Sequence, residues 1–338
     1  MKTDKKMEVE AVHDFRNFQK IGREWNGLLA SSEENSVFLT HQWFCTWWKC
    51  FSEGKSLQVL LFKDGAGKLV ATAPLMKEKN TLRFMASREV TDYCDFIVCK
   101  GMARELYGHL MDFLEDRYRH TEKIVLLNIK SRSSTLDFLP RLASKYNFSC
   151  SSYASEVAPL LELPSSYEEF LKLLARKNRH ELRRKIRRIN ELDGVKMLRI
   201  TGQKNLTEAV ESFIRLHRKS SSSKQAFWEK KGVACFFREL LFQFSSKGWV
   251  EMNSLMYKED IMASLITFLY QDRILFYNIA YNTEYAQYSP GIYLFDWNIK
   301  NAILQGRKTA DFLRGREKYK YYLGAKDSKI CTLILRRE

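Results

Sequence analysis

A dense cluster of basic side chains occupies residues 176–188, whose sequence is RKNRHELRRKIRR. Eight of these thirteen residues are Lys or Arg, and Glu181 is the one acid among them. Arg179, Arg183 and Arg187 recur at steps of four, which places them on one ridge of an α-helix. A guanidinium binds phosphate through two parallel hydrogen bonds, so this pattern predicts a site for a phosphate or a polyanion. The alternative is a solvated basic helix face that has no ligand.

A second candidate site lies at residues 288–291, Tyr-Ser-Pro-Gly. Ser289 is a favoured N-cap residue, and Pro290 suits the first position of a helix. The N–H groups and the dipole of a helix N-terminus attract anions. Ser289, Pro290 and Gly291 are therefore expected to hold the phosphate groups of a bound cofactor. A well-capped helix without a ligand is the alternative.

The third candidate site is residues 311–324, DFLRGREKYKYYLG. Asp311 and Arg314 follow a predicted strand, and crossover sheets bind ligands at the carboxyl ends of their strands. Asp311 is predicted to accept a proton or to orient a nucleophile. Phosphate binding is predicted for the cations of this segment, which are Arg314, Arg316, Lys318 and Lys320. A basic, aromatic surface loop is the alternative interpretation.

Several familiar site motifs are absent from the sequence. It has no Gly-x-Ser-x-Gly elbow, no Walker loop and no Gly-x-Gly-x-x-Gly fingerprint. None of the six histidines stands at metal-ligand spacing from another, and no cysteine pair has the gap of a zinc site, so no metal is expected. No helix-turn-helix or zinc-finger pattern surrounds residues 176–188, and DNA is therefore not an expected partner.

The hydrophobic patterns divide the chain into two halves with the same order of elements. Each half is predicted to contain helices, an antiparallel strand meander and a β–α–β crossover, which is an α/β fold with mixed sheets. Residues 163–166, Leu-Pro-Ser-Ser, interrupt the predicted elements, and we place the domain boundary near them. This gives domains 1–160 and 161–338. In the second half we predict one helix from Tyr167 to about Leu192, another over 227–246, and a last strand over 330–335 that closes the second sheet. A tyrosine-rich strand ends at Tyr281, which is predicted to contact the substrate.

The chain has 338 residues and is basic, with 56 Lys and Arg against 40 Asp and Glu and a formal net charge of +16. This charge favours anionic partners, such as a phosphate-bearing small molecule, tRNA, or an anionic inner membrane face bound peripherally. Apolar residues make up 45% of the chain, which is enough for two hydrophobic cores. The N-terminus lacks an apolar signal segment, and no apolar run reaches the ~18 residues of a membrane span. A cytoplasmic location is therefore expected.

Residues 289–291, 309–315 and 319–324 together resemble the GNAT-type acyltransferases linked to cellulose and exopolysaccharide biosynthesis, the CelD-like group. Residues 38–48, FLTHQWFCTWW, and the basic segment 176–188 also fit this group. The resemblance implies tandem GNAT-like domains, with the basic helix and the active site in the C-terminal domain, 161–338. It further implies acetyl-CoA or another acyl-CoA as the cofactor, bound at residues 289–291.

The CelD-like group is similar to the Fem-type transferases, which add amino acids from aminoacyl-tRNA to peptidoglycan precursors. By motif, Lys320 and Arg179 would take the roles of the Fem residues that bind the phosphates of the acceptor. Standard GNAT enzymes have a glycine-rich turn before the pyrophosphate helix, whereas residues 282–291 contain one glycine. A longer acyl-CoA, an acyl carrier protein and a charged tRNA are therefore alternative donors.

Acyl transfer is the first functional hypothesis, from a CoA-type thioester to an amine or hydroxyl of a sugar, a nucleotide-sugar or a cell-envelope precursor. Asp311 and Lys320 are its predicted catalytic residues, and Arg179, Arg183, Arg314, Arg316 and Tyr281 are its predicted substrate-binding residues. Fem-type transfer from aminoacyl-tRNA is the second hypothesis. The third is a non-catalytic GNAT-like module that recruits a polysaccharide synthase or another anionic partner.

Overall fold

Residues 7–338 are described by a computed structural model of the chain, and they fall into two compact units. One unit ends at Glu156 and also contains Lys329–Glu338, and the other is Val157–Ser328. The predicted domain ranges place residues 329–338 in the second domain, whereas the structure places them in the first unit. Residues 1–6, on which part of the signal-peptide prediction rests, lie outside the described residues. No helix within residues 7–338 is both long and apolar enough to cross a membrane.

Strands and helices alternate along both units. The strands are β1 (Glu8–Val12), β2 (Ser56–Lys63), β3 (Leu69–Glu78), β4 (Thr81–Phe84), β5 (Ile97–Val98), β6 (Lys123–Lys130), β7 (Phe148–Val157), β8 (Leu160–Glu162), β9 (Val195–Thr201), β10 (Val250–Tyr257), β11 (Asp260–Tyr270), β12 (Arg273–Tyr281), β13 (Thr309–Asp311) and β14 (Lys329–Arg337). The α-helices are α1 (Phe15–Lys20), α2 (Gly22–Ala30), α3 (His41–Phe51), α4 (Ala103–Arg117), α5 (Ser134–Ala143), α6 (Tyr167–Leu173), α7 (Arg176–Asn190), α8 (Leu206–Lys219), α9 (Ser222–Glu229), α10 (Val233–Ser245), α11 (Pro290–Leu304) and α12 (Lys318–Tyr322).

The first unit is built on a mixed sheet of order β1-β2-β3-β4-β6-β14-β7, with β5 paired to β3. β4 and β6 run parallel, whereas the β2–β3 hairpin is antiparallel. The large aromatic side chains Trp25, Trp43 and Trp47 are almost fully buried, so the aromatic run in α3 serves the core. His41 is also buried, with its Nε2 atom 2.8 Å from the carbonyl oxygen of Phe18.

The prediction that residues 330–335 close the second sheet is wrong. The strand exists as β14, but it pairs antiparallel with β6 of the first sheet, where Ile330 faces Lys130. The alternation of buried side chains, which includes Ile330, Leu333 and Leu335, specifies a strand with an apolar face. It does not specify the neighbouring strand, because many strands of the chain present an apolar face of the same kind.

The second unit is built on a mixed six-stranded sheet of order β8-β13-β12-β11-β10-β9. β12 and β13 are parallel and are joined by α11, whereas β9 to β12 form an antiparallel meander. Helices cover both faces. Leu265 of β11 belongs to the core cluster shared with α6, α7 and α11, whereas Phe268, three residues further on, packs its ring 5.3 Å from that of Phe244 on α10.

The single helix predicted from Tyr167 to Leu192 is wrong, because the chain forms α6 and α7 with a break between them. Leu174 and Ala175 are extended, with ψ of 140° and 143°. In a continuous helix Leu182 would point roughly 80° away from Leu174. The break re-aims α7 so that Leu174 and Leu182 both enter one core cluster.

The helix predicted over 227–246 is likewise two helices. Ser221 caps α9 by accepting a hydrogen bond from the N–H of Lys224. Gly232, at φ +87°, separates α9 from α10 in a backbone conformation that favours glycine. Four strands were not predicted, namely β1, β7, β8 and β9. β7 and β9 bury few of their side chains, so they lack the strong apolar alternation that reveals a strand.

Candidate active site

The arginine face of α7 is a concave surface of about 380 Å³ lined by Arg176, Arg179, His180, Arg183, Arg184 and Arg187. Arg184 is neutralised by a forked contact to Glu181, at 2.9 and 3.0 Å, and Arg187 lies 3.6 Å from Glu191. Arg176 and Arg183 have no carboxylate partner among residues 7–338. This surface therefore carries unneutralised positive charge suited to a phosphate group.

The position of α7 follows from its two-sided sequence. Leu182 and Ile189 are fully buried, so the opposite side of the helix must present the arginines. At its N-terminal end the amide of Asn178 donates to the carbonyl oxygen of Tyr322, at 3.3 Å. At its C-terminal end Arg188 donates to the carbonyl oxygen of Gln287, also at 3.3 Å. Both other predicted sites, at the start of α11 and at α12, therefore touch the basic helix.

A second cavity of about 390 Å³ adjoins the arginine face, because Arg183 and Arg187 line both. The remaining residues of its wall are Tyr167, Leu171, Ile186, Asn190 and Glu191. The hydroxyl of Tyr167 donates a hydrogen bond of 2.8 Å to Oδ1 of Asp296 on α11. We call Tyr167 and Asp296 the carboxylate–phenol pair.

Asp296 is a buried carboxyl group whose pKa is raised to about 6. Burial is the main cause, and the hydrogen bond from Tyr167 and the charge of Lys300 oppose it. A carboxylate with a pKa close to neutral pH can accept a proton during a reaction and release it afterwards. The hydroxyl oxygen of Tyr322 is also buried, and no hydrogen-bond partner for it exists within the described residues.

Sequence reasoning did not identify the carboxylate–phenol pair. Asp296 stands in the apolar run Tyr293-Leu-Phe-Asp-Trp297, on the side of α11 that is buried. An acid at a buried helix position was the available signal, because a buried carboxylate requires a partner. Its partner Tyr167 is 129 residues away in the sequence, so no local pattern joins the two.

The start of α11 lies where the sequence predicts it, but its geometry differs from the prediction. Ser289 precedes Pro290 as the N-cap residue, yet its side chain makes no capping hydrogen bond. Ser289 has φ +56° and ψ +50°, whereas capping by a side chain requires an extended backbone. Ser289 thus occupies the predicted N-cap position, but the prediction that its side chain caps the helix is wrong.

This helix start does not fit a cradle for the pyrophosphate of CoA. Such a cradle needs several N–H groups that converge on the anion. The N–H of Ser289 donates to Ala286, that of Ile292 donates to Ser289, and Pro290 has none. Gly291 alone is left to offer its N–H at this turn, and a 3₁₀ helix, Thr283–Tyr288, fills the preceding loop. The cofactor role of residues 289–291 remains a prediction.

The parallel pair β12–β13 opens at Asp311, which is opposite Leu275. β13 ends there, whereas β12 continues to Tyr281 and leaves one edge without a neighbouring strand. Asp311 is buried, and its Oδ1 accepts a hydrogen bond of 2.8 Å from the N–H of Leu313. Its catalytic role remains a prediction, and the residue stands at the carboxyl end of a crossover strand.

Lys320 lies inside the turn that follows Asp311. It is 2% exposed, and its Nζ donates to the carbonyl oxygens of Leu313, Arg314 and Gly315 at 2.8–3.2 Å. The carboxylate of Glu317 lies 2.9 Å from the same nitrogen. Four oxygens of its own loop thus surround this ammonium group. Contact of Lys320 with a substrate phosphate remains a prediction.

The other predicted residues fall at different places in the second unit. Arg179 and Arg183 come together on the arginine face, where Arg179 also approaches the carbonyl oxygen of Leu171 at 3.5 Å. Arg314 is half-buried and Arg316 is exposed on the turn that Lys320 organises. Tyr281 is 36% exposed at the end of β12, with the ammonium of Lys224 5.6 Å from its ring centre. No group of three or more residues suited to hold a metal ion occurs in the described part of the chain.

Residues 176–321 match the model of the family described as acetyltransferase (GNAT) domain. The matched segment is thus similar to GNAT acetyltransferase domains. The matched segment contains the arginine face, Asp296, the opening between β12 and β13, and most of α12, whereas Tyr167 precedes it. The protein is accordingly an acyltransferase, as the sequence predicts.

Solved structures share the fold over almost the whole chain. FemX is 12% identical and has a TM-score of 0.65, with 96% of each chain covered. L-PGS from Bacillus licheniformis is 11% identical and has a TM-score of 0.60, with 94% of this chain and 92% of that chain covered. A protein of unknown function from Bacteroides thetaiotaomicron is 11% identical, with a TM-score of 0.59 and coverage of 98% and 100%. No curated protein matches the chain significantly. The predicted fold class, mixed α/β with tandem GNAT-like domains, is confirmed.

Proposed function

We propose that the protein transfers an acyl group to an amine or hydroxyl of a phosphate-bearing sugar, nucleotide-sugar or cell-envelope precursor, as its resemblance to the CelD-like group implies. One observation carries this proposal: the unneutralised arginine face adjoins a cavity lined by Tyr167, whose hydroxyl donates to the buried Asp296. Arg183 lines both cavities, so a molecule whose phosphate contacts Arg183 can extend towards Tyr167.

The arginine face selects an acceptor by its phosphate. Arg183 has no carboxylate partner within residues 7–338, so binding a phosphate breaks no existing ion pair. Arg179 and Arg176 line the same surface and add further donors. Charge-assisted hydrogen bonds of this kind contribute roughly 1.5–3 kcal/mol each, which is enough to dominate the affinity for a small acceptor.

The carboxylate–phenol pair supplies a place for the acceptor's proton. A neutral amine or a hydroxyl acceptor gives up a proton as it forms its bond to the acyl carbon. In this proposal the proton passes to the oxygen of Tyr167 while the phenol proton moves to Asp296 along their 2.8 Å hydrogen bond. The pKa of Asp296, about 6, leaves the carboxylate ionised and ready to accept at neutral pH.

A direct assay tests the proposal on the full chain. Acetyl-CoA or palmitoyl-CoA is offered as donor with glucosamine 6-phosphate or UDP-glucosamine as acceptor, and release of the CoA thiol is followed. We expect acceptor-dependent thiol release with at least one pair. Unphosphorylated glucosamine is the matched control, and a rate equal to that of its 6-phosphate would contradict a phosphate-selected acceptor. Absence of transfer with every pair would remove the thioester version.

Fem-type transfer from aminoacyl-tRNA is the second candidate, and the start of α11 favours it. With Gly291 alone offering an N–H there, a CoA pyrophosphate lacks the expected cradle, whereas a charged tRNA does not need one. The net charge of +16 and the arginine face suit a polyanion. Transfer of a labelled amino acid from charged tRNA, combined with inactivity towards every acyl-CoA, is the result that would select this version.

The proposed location is the cytoplasm, where acyl-CoA and charged tRNA are made. Peripheral binding at the inner membrane face is compatible with this location. The basic composition supports an anionic partner of this kind. An acyl carrier protein, itself acidic as a class, is a further donor compatible with this charge. Co-sedimentation with vesicles that contain or lack anionic lipid measures the membrane contribution separately from the transfer reaction.

A further inference from the structure

The open edge of β12 presents one carbonyl oxygen that no strand uses. The N–H of Asn282 bonds to the carbonyl oxygen of Met262, so residues 282 and 280 form the hydrogen-bonded pairs of the antiparallel β11–β12 ladder. Ile279 is then in a non-hydrogen-bonded pair, and its carbonyl points away from β11 towards the side where β13 has ended. In crossover sheets this edge, beyond the carboxyl end of a strand, is where ligands bind.

Lys224 reaches this edge from α9. Its Nζ donates to the carbonyl oxygen of Ile279 at 3.3 Å and lies 5.6 Å from the ring centre of Tyr281. The ammonium therefore stands in the opening between β12 and β13, although the helix that carries it packs on the other side of the unit from α7. Sequence analysis did not single out this lysine.

The ammonium of Lys224 has no carboxylate counter-ion among residues 7–338. No carboxylate forms a salt bridge with it in the described part of the chain. Burial lowers its pKa, and no acidic group opposes that effect. One of its three N–H bonds is used by Ile279, so the others remain for a ligand. A half-buried cation that no carboxylate of the described residues neutralises is poised to bind a negative or developing negative charge.

A chain of contacts joins Lys224 to the proposed acceptor site. The side chain of Ile279 lies against Gly291 at the start of α11, where an added Cβ would be 3.1 Å from the Ile279 Cδ1. Two residues later, the hydroxyl of Tyr293 donates to Oδ1 of Asn190 at 3.0 Å. Asn190 lines the cavity that contains Tyr167. The first turn of α11 thus contacts both the strand edge that Lys224 reaches and a residue that lines the acceptor cavity.

We propose that Lys224 binds the carbonyl oxygen of the transferred acyl group and stabilises the oxyanion that forms there. The acceptor's amine or hydroxyl forms a bond to the carbonyl carbon, and the carbonyl π electrons move to the oxygen held by Lys224. The carbonyl then re-forms as the bond to the leaving group breaks. The leaving group departs with that electron pair, and the acceptor's proton goes to the base proposed above. This role rests on the proposed function.

Two other roles for Lys224 predict different behaviour. A purely structural lysine would hold Ile279 without affecting the rate of the chemical step. A lysine that acts as a neutral base would give a rate that rises as the pH passes its pKa. An ammonium group that binds the oxyanion gives the opposite pH dependence, because activity is lost as the pH rises through the pKa of Lys224. His217 of α8 and Tyr281 of β12 are the titratable groups that face Lys224 among the described residues, and His217 is neutral above about pH 4.

Lys224→Met and Lys224→Arg test the proposal on the full chain, with the donor and acceptor that the transfer assay identifies. For Lys224→Met we expect kcat to fall about 100-fold with little change in the KM of the acceptor, as for the loss of one oxyanion donor. Lys224→Arg should recover part of kcat and move the alkaline loss of activity to higher pH. A folded Lys224→Met variant with the kcat of the wild type would overturn the proposal.

A labelling experiment keeps this outcome separate from failure of the proposed function. Trace acetic anhydride is applied over a pH series, and the acetylation of each lysine is measured by mass spectrometry. Lys224 should react and should titrate at lower pH than the exposed Lys219. A Lys224 that stays unlabelled at all pH values would show that no acyl group reaches it, and would overturn its assignment whether or not transfer is observed. Inactivity of the wild type with every donor would instead count against the proposed function.

Discussion

The phenol oxygen of Tyr167 lies 2.8 Å from Oδ1 of Asp296, and this hydrogen bond joins the first residue of α6 to a carboxyl group buried on α11. Burial of Asp296 raises its pKa to about 6, above the value of about 3.9 expected in the unfolded chain. The folded protein therefore holds a proton on this group at pH values where the unfolded chain has lost it. The same pair that suits proton transfer thus makes the folded state sensitive to pH.

Asp296→Asn should increase stability at neutral pH. Because the folded pKa is raised, the carboxyl favours folding below about pH 4, and this contribution is lost as the pH rises to about 6. Ionisation of the buried group costs on the order of 2–3 kcal/mol at pH 7, since each pKa unit corresponds to about 1.4 kcal/mol. Asparagine keeps an acceptor for the Tyr167 hydroxyl but cannot ionise. Denaturant unfolding at pH 7 and pH 4 measures the difference.

Asp95→Asn is the matched control for this change. Asp95 is a buried carboxyl of the first unit whose pKa is also raised to about 6, and it lies outside the proposed site. Both variants should gain stability at pH 7 relative to pH 4, whereas acyl transfer should fall in Asp296→Asn alone. Equal loss of transfer in both would show that the rate follows stability and not the proton acceptor.

Arg183→Gln should weaken binding of a phosphate-bearing acceptor. Loss of one charge-assisted contact corresponds to roughly 1.5–3 kcal/mol, so the KM should rise by about tenfold or more while kcat changes less. Steady-state kinetics with the phosphorylated acceptor measures this rise. Arg215→Gln removes the same charge from an exposed position of α8 and should leave the KM unchanged. A comparable rise in both variants would mean that overall charge, and not this site, attracts the acceptor.

The sequence predicted the parts of the fold whose signals are local. The turns between β10, β11 and β12 and the Pro290 start of α11 lie within a few residues of the elements that they join, so hydrophobic period and turn residues were sufficient. The break at Leu174–Ala175 and the pairing of β14 with β6 depend on which distant surface each apolar face covers. No short pattern records that choice.

The candidate site likewise contains parts that local sequence signals predict and parts that depend on the tertiary structure. The arginine face was predictable because its residues follow one another on a single helix. The carboxylate–phenol pair joins positions 129 residues apart, and Lys224 meets Ile279 across 55 residues. These residues carry no local motif, and the tertiary structure alone brings them together. Lys320 shows the converse case, since its position was predicted but its surroundings were not.

Lys320→Met should destabilise the second unit. The substitution leaves the carbonyl oxygens of Leu313, Arg314 and Gly315 without their donor. Buried polar groups that lose a partner cost about 1–3 kcal/mol each. Water that enters beside the exposed Glu317 side chain relieves part of this cost. We expect the free energy of unfolding to fall by about 2–3 kcal/mol, as measured by urea denaturation.

Lys318→Met is the control for this prediction, because Lys318 is an exposed lysine on the same short helix. Its stability should change by less than about 0.5 kcal/mol. If Lys320→Met were as stable as the wild type but inactive, the ammonium would contact substrate and the structural role argued here would be wrong. A destabilised variant that regains activity at lower temperature would support the structural role.

His217→Gln should reduce the loss of stability in mild acid. His217 is buried on α8, and its Nδ1 accepts a hydrogen bond of 2.8 Å from the indole N–H of Trp228. Burial lowers its pKa to about 3, and the charge of Lys224 adds to this effect. Since the unfolded chain binds a proton below about pH 6.5 and the folded chain does not, stability falls as the pH drops from about 6.5 towards 3.

Glutamine retains an acceptor for Trp228 and cannot be protonated, so His217→Gln should lose this acid sensitivity. At pH 7.5 the variant should be slightly less stable than the wild type, because the stacking of the His217 ring on Phe213 is lost. Between pH 6.5 and 4.5 its unfolding free energy should decline less steeply than that of the wild type. His120→Gln, at an exposed position, should follow the wild-type curve. Asp296 and Asp95 make the folded state more stable as the pH falls over this range, which opposes the effect of His217. The test therefore compares the variant with the wild type at each pH. Parallel stability curves for His217→Gln and the wild type would refute the prediction.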